Sequence, residues 1–165
     1  RAQPFRWGTD GLPILGAPKS PDRPIPLPSG EPKRLRLEAE KARLEGSARA
    51  VADGSASGRS KIVDLAGDKA RATFEVPVAK AGTYVIAVRY RTEGRPDADR
   101  RDRDAHRLLV DGRPEATIAY PDSGGGRWSI ALARLPLREG ANRVSLAPAS
   151  GKVEVDCLDV ILDPE

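Results

Sequence analysis

RLRLEAEKARLEG, residues 34–46, is nearly all Leu, Ala, Glu, Lys and Arg, the residues of highest helix propensity. A helix turns about 100° per residue, which puts Leu35, Ala39 and Ala42 on one side and Leu37 with Leu44 nearly opposite. No single apolar stripe results. At period 2 the same residues sort cleanly: Leu35, Leu37 and Ala39 share one face, and Arg36, Glu38 and Glu40 the other. The pattern is that of a half-buried strand projecting two carboxylates side by side. Like charges at that separation repel unless a cation or basic groups neutralise them. The pair therefore either holds a metal or meets Arg36, Lys41 and Arg43 on a wet surface.

Downstream of this stretch the punctuation is all-β. In ATFEVPV, Ala72, Phe74, Val76 and Val78 share a face, and Pro77 marks an edge position or a strand end. GTYVIAVRYR alternates Tyr84, Ile86, Val88 and Tyr90 against Thr83, Val85, Ala87 and Arg89. HRLLVDGRPEATIAY reads as two strands around Asp111-Gly112, a pair suited to a tight hairpin turn with positive φ. RWSIALARLPL, NRVSLAP and VEVDCLDVIL follow at short intervals. About eight to ten short strands with turns between them predict a sandwich or jelly roll rather than alternating βα units. The nearly all-charged insert RTEGRPDADRRDRDAH, residues 91–106, reads as a solvated loop between two strands.

The 165 residues suffice for one domain of ordinary size plus a tail. Lys and Arg number 28 against 24 Asp and Glu, a net +4 spread along the chain. No basic stretch is interleaved with aromatics, which argues against nucleic-acid binding and leaves an acidic ligand open. There is no run of 18 apolar residues and no signal-peptide pattern, so nothing in the sequence points to a membrane. The single cysteine, Cys157, excludes an internal disulfide, and with only His106 beside it cannot supply a zinc cluster. Eight of the 15 prolines fall in residues 1–33. Residues 19–33 read as a semi-extended linker, and the chain, which begins without Met, reads as part of something longer.

Three sets of residues are candidates for chemistry. Asp156, flanked by apolar residues on the last strand, could join Glu38 and Glu40 around calcium, which takes six to eight oxygens from carboxylates and carbonyls. Trp128 follows the glycine run SGGGR, with Tyr120 across the loop; each is either a stacking platform or core. SGGG lacks the Lys-Ser/Thr ending and the helix of a phosphate loop. A catalytic set is missing. Neither His106, Cys157 nor any serine has a base partner, and two acids on one strand face cannot flank a scissile glycosidic bond from opposite sides.

Taken in order, LEAEKARLEGSARAV, SASGRSKIVDLAG, ATFEVPVAKAGTYVIAVRY, HRLLVDGR, SGGGRWSIALARLPLREGANRVSLAP and VEVDCLDVIL resemble a carbohydrate-binding module of families 6 and 35 over about residues 35–163. The resemblance implies a β-sandwich of jelly-roll type with a structural calcium on Glu38, Glu40 and Asp156, and backbone oxygens from the stretch around Ser57 and Ser60. It also implies a sugar stacked on Trp128. Lys61-Ile62-Val63 stand where an aromatic is often found, and Ser150-Gly151-Lys152 where an asparagine is common. With Arg59 and Lys152 beside Trp128, the resemblance suits an acidic or galacto-configured sugar. It further implies a non-catalytic, extracellular role: targeting an attached glycosidase to arabinan, galactan, xylan or a uronate-bearing glycan. The alternative is a structural module that packs on a catalytic domain without binding sugar.

Residues 1–18, RAQPFRWGTDGLPILGAP, resemble the closing segment of the five-bladed propeller of glycoside hydrolase family 43. That implies an upstream catalytic domain, with residues 34–165 as the appended module. Phe5, Trp7, Leu12, Ile14 and Leu15 form an apolar segment too short to bury itself, and are expected to pack on that domain.

Overall fold

The computed structural model describes residues 5–7, 9, 13–15, 34–93 and 104–162. The chain divides into two units, Arg1–Pro32 and Lys33–Glu165. In the first, β1 (Phe5–Trp7) and β2 (Pro13–Leu15) pair antiparallel, with Arg6 opposite Ile14. The expected linker, residues 19–33, lies outside the described residues, as do the side chains of the apolar segment before it.

The second unit contains eleven described strands: β3 (Arg34–Glu38), β4 (Arg43–Glu45), β5 (Arg49–Ala52), β6 (Ser60–Val63), β7 (Arg71–Val78), β8 (Gly82–Thr92), β9 (Asp104–Val110), β10 (Arg113–Tyr120), β11 (Ser129–Leu137), β12 (Gly140–Ser150) and β13 (Val153–Leu162). They form two antiparallel sheets. One runs β10-β9-β12-β7-β4, the other β11-β8-β13-β6-β5, with β3 added beside β13. The free edge of β13 is shared: β3 takes Cys157 to Ile161, and β6 takes Val155 opposite Ile62. This is a β-sandwich of jelly-roll type, as the alternation and the family resemblance together predict.

Inward faces follow period 2. Ala72, Phe74 and Val76 of β7, and Tyr84, Ile86, Val88 and Tyr90 of β8, are buried together with Leu108, Leu135, Leu146, Val155 and Leu158. Each such large side chain contributes about 1.5–3 kcal/mol by leaving water. Asp111 and Gly112 adopt φ of 51° and 84°, the left-handed pair of a two-residue hairpin turn between β9 and β10. The Asp111 carboxylate also accepts the Arg143 N–H at 3.1 Å. Pro77 lies where β7 has lost its β4 neighbour, which pairs only with Arg71 to Thr73, so its missing N–H leaves no ladder bond unmade on that side.

Residues 34–46 are strand, then turn. β3 pairs with β13, and Leu35 and Leu37 pack against the core. The strand stops at Glu38. Ala39, fully buried, starts a 3₁₀ turn over Ala39–Lys41, closed by Ala42 N–H donating to the Ala39 carbonyl at 3.1 Å. The helical propensity thus survives as a single turn, and Glu38 and Glu40 do not share a strand face as the alternation predicts. The charged insert is also shorter than it reads. Residues 94–103 lie outside the described residues, but Arg91 and Thr92 belong to β8 and Asp104 to His106 to β9. His106 is buried between the sheets, 3.0 Å from the Tyr120 hydroxyl.

Candidate functional site

Asp156 lies at a register shift in β13. Val155 pairs with Tyr90 and Cys157 with Arg89, so Asp156 is the extra residue of a β-bulge. A bulge re-aims a side chain that strict alternation would point elsewhere, and here it brings a carboxylate with no solvent exposure to the loop after β5. Oδ1 of Asp156 accepts the Ser57 N–H at 2.9 Å and the Ser57 hydroxyl at 3.2 Å. The same hydroxyl lies 2.6 Å from Oε2 of Glu38. Oδ2 of Asp156 is ion-paired with Arg89. Ligand atoms of Glu38, Asp156 and Cys157 fall within 4.8 Å of one another.

Glu40, on the 3₁₀ turn, lies against Gly58. A Cβ on Gly58 would stand 2.6 and 2.7 Å from its two carboxylate oxygens, so the absence of a side chain at 58 is what admits it. Glu38 and Asp156 thus meet at Ser57, and Glu40 stands beside the neighbouring Gly58, outside the group of ligand atoms formed by Glu38, Asp156 and Cys157. The donors are hard oxygens and suit calcium. Burial pushes the Cys157 thiol up to about 11, which disfavours the thiolate without a metal beside it. Ser60 opens β6 opposite Ala52.

Trp128 sits just before β11 on the outer face of β8, where Arg89 and Arg91 alternate with the buried Val88 and Tyr90. Its ring is partly exposed. The Arg89 and Arg91 guanidinium carbons lie 5.0 and 4.7 Å from the ring centroid, in cation–π range. Nε1–H donates to the Ser55 hydroxyl at 3.0 Å. Ser55 donates in turn to Asp53, which also receives Arg91 at 2.9 Å. Hydrogen bonds from the Ser55 hydroxyl and backbone, then from Lys61 and Arg91, hold the Asp53 carboxyl well below the usual carboxylate range.

The other expected sugar contacts are not brought to Trp128. Tyr120 is corrected to core: it is 1 % exposed, its ring 4.7 Å from Tyr90 and 5.1 Å from His106, leaving no face for a ligand. Lys152 lines a separate concavity of about 510 Å³ with Glu93, Glu154 and Ser47. Arg59 is exposed, with φ of 60° in the turn before β6. Among the described residues none of the three makes a hydrogen bond or ring contact to Trp128. Arg89, Arg91, Asp53 and Ser55 escape sequence reasoning, because alternation marks the two arginines only as outward-facing. The one available signal is two arginines at i and i+2 facing an acidic final strand.

The family model described as carbohydrate binding module (family 35) matches residues 35–163. No curated protein matches the chain. Among solved structures, a family 35 module from Clostridium thermocellum is 24% identical at a TM-score of 0.67, covering 77% of this chain and 98% of that one. An exo-beta-1,3-galactanase from Phanerochaete chrysosporium is 21% identical at 0.65, covering 78% of this chain and 29% of its own. A cycloisomaltooligosaccharide glucanotransferase from Paenibacillus is 21% identical at 0.67, covering 78% and 18%. The chain thus spans less than a third of those two enzymes and nearly all of the free module, with which it shares the sandwich. On the family match over most of its length, the chain belongs to family 35 of the carbohydrate-binding modules.

Proposed function

We propose that the module binds polysaccharide through Trp128, holds a structural calcium at Glu38, Glu40 and Asp156, and targets an attached glycoside hydrolase to its substrate outside the cell. The observation that carries the sugar reading is the partly exposed Trp128 ring, held in place by Arg89, Arg91 and Ser55. A ring fixed in this way presents a flat apolar surface at little entropic cost, which favours stacking on a sugar face. Arginines beside it suit the carboxylates of a uronate-bearing glycan over neutral galactan, arabinan or xylan. Relatives sharing the fold include enzymes that act on galactan and mannan, which supports a glycosidase partner. Residues 1–18 belong, in this reading, to an upstream propeller of that partner.

The Trp128 surroundings also favour a second reading, a structural module in which the two guanidinium groups are the ring's intended partners. Affinity electrophoresis on galactan, arabinan, xylan and polygalacturonate separates the two. Sugar binding predicts retention on at least one of them. Trp128→Ala should then weaken retention at least tenfold, about 1.4 kcal/mol, because central aromatic anchors carry much of a binding energy. Absence of retention on all four, with Trp128→Ala lowering stability alone, supports the structural reading.

When bound, calcium would supply two positive charges to the carboxylates of Glu38, Glu40 and Asp156. The chain's own part is to set Glu38 at the end of β3, Glu40 on the turn and Asp156 on the bulge. Chelation is expected to lower the melting temperature, because a ligand at about one hundred times its Kd stabilises the folded state by about 2.7 kcal/mol. An unchanged melting temperature in excess EDTA, with no metal by elemental analysis, rejects the calcium site.

A further inference from the structure

We infer that metal occupancy of the Glu38–Glu40–Asp156 cluster sets how Trp128 is seated, with Arg89 as the positioning residue between them. This rests on the calcium reading above. Asp156 is fully buried and gives one carboxylate oxygen to Ser57 and the other to Arg89. Arg89 is the same residue whose guanidinium lies 5.0 Å from the Trp128 centroid. One side chain therefore touches both the acidic cluster and the aromatic ring.

A divalent cation drawing on Asp156 places its charge beside that of Arg89, and two cations then compete for one buried carboxylate. Coulomb repulsion weakens the Arg89–Asp156 pair. The guanidinium, partly solvent-exposed, moves away from the cluster, and its placement relative to the indole changes. A second link runs through the chain. Ser57, hydrogen-bonded to Glu38 and Asp156, is two residues from Ser55, which holds the Trp128 N–H. Ser55 also bonds Asp53, the partner of Arg91, whose guanidinium is 4.7 Å from the ring. Each of the three side chains that seat Trp128 thus connects either to the cluster or to the short segment carrying Ser57. Linkage makes such coupling reciprocal: whatever reorients Trp128 changes metal affinity by the same factor.

The test uses the full chain with Trp7→Phe, which leaves Trp128 as its sole tryptophan, titrated with calcium chloride. Tryptophan emission reports seating, and calorimetry with thermal melting reports binding independently. The expected result is an emission change that saturates at the calorimetric stoichiometry. In Arg89→Met, calcium should still bind but the emission change should fall by at least half. Should Arg89→Met fail to fold by circular dichroism, Arg89→Lys serves, since it keeps the charge on Asp156 and loses the planar group over the ring. The same reduction is expected there. Calcium that binds and stabilises without altering Trp128 emission overturns the coupling and leaves the metal site standing. An emission change fully retained in both Arg89 variants overturns the role of Arg89. Absence of heat and of a melting shift overturns coupling and metal site together.

Discussion

Asp156→Ala is expected to lower the unfolding free energy by about 3 kcal/mol even in EDTA. Removing one partner of a buried ion pair leaves the other uncompensated, a loss of about 3–5 kcal/mol. The lower end applies because the Arg89 side chain keeps 29% of its exposure and can turn partly to water. The substitution also strips the Ser57 N–H of its acceptor. For a sandwich of this size the melting temperature falls by about 10 °C. Asp156→Asn retains an acceptor for Ser57 and should cost roughly half as much. Urea denaturation of the three proteins in EDTA checks both figures. A loss below about 1 kcal/mol for Asp156→Ala would show that the bulge carboxylate matters only to a ligand and not to the fold.

The second large effect is acid sensitivity between pH 6.5 and 4. Burial lowers the His106 pKa to about 4 from 6.5, against a smaller opposing effect of a hydrogen bond with the Leu65 backbone. The folded state therefore holds a neutral imidazole on the Tyr120 hydroxyl, whose own proton burial holds firmly in place. Between the two values the unfolded chain binds the proton and the folded one does not. Stability is then complete above pH 6.5 and is lost as the pH falls, by about 2 kcal/mol at pH 5 and about 3 kcal/mol below pH 4. Denaturation curves at intervals from pH 7 to 5 measure it in a window where most carboxylates have yet to titrate. His106→Gln should flatten the profile there. A slope unchanged by that substitution assigns the acid loss to other groups.

The sandwich was legible because its strands alternate so strictly. Tyr84, Ile86, Val88 and Tyr90 sort to one face by sequence, and all four are buried. The Asp111-Gly112 turn was equally plain, since few residues tolerate two consecutive positive φ angles. The meeting of Glu38 with Asp156 was legible in its members but not in its construction. Alternation carries Glu40 onto the face of Glu38, whereas the strand ends at Glu38 and Ala39–Lys41 turn as a 3₁₀ helix. A bulge has no period, so nothing in VEVDCLDVIL announces that Asp156 leaves the alternation and that Asp159 resumes it, outward, on Arg36 at 2.7 Å. Tyr120 and His106 misled for a common reason: each stands beside a polar loop in sequence yet pairs with the other across β9 and β10, in a register that places Ile118 opposite His106.

The pairing of β3 with β13 has a mechanical consequence. Arg34 stands opposite Ile161, so the two ends of this ladder lie side by side at one end of the sheet. Tension applied to the chain just outside residues 34 and 162 pulls across the strands rather than along them. The ladder then opens rung by rung, as a zipper does, instead of resisting as a whole. The rungs run Arg34–Ile161, Leu35–Val160, Arg36–Asp159, Leu37–Leu158 and Glu38–Cys157. The bidentate grip of Arg36 on Asp159 is met at the third rung, and the carboxylate cluster at the fifth. Pulled at these two ends, the ladder would yield first at Arg34 and arrest at Glu38.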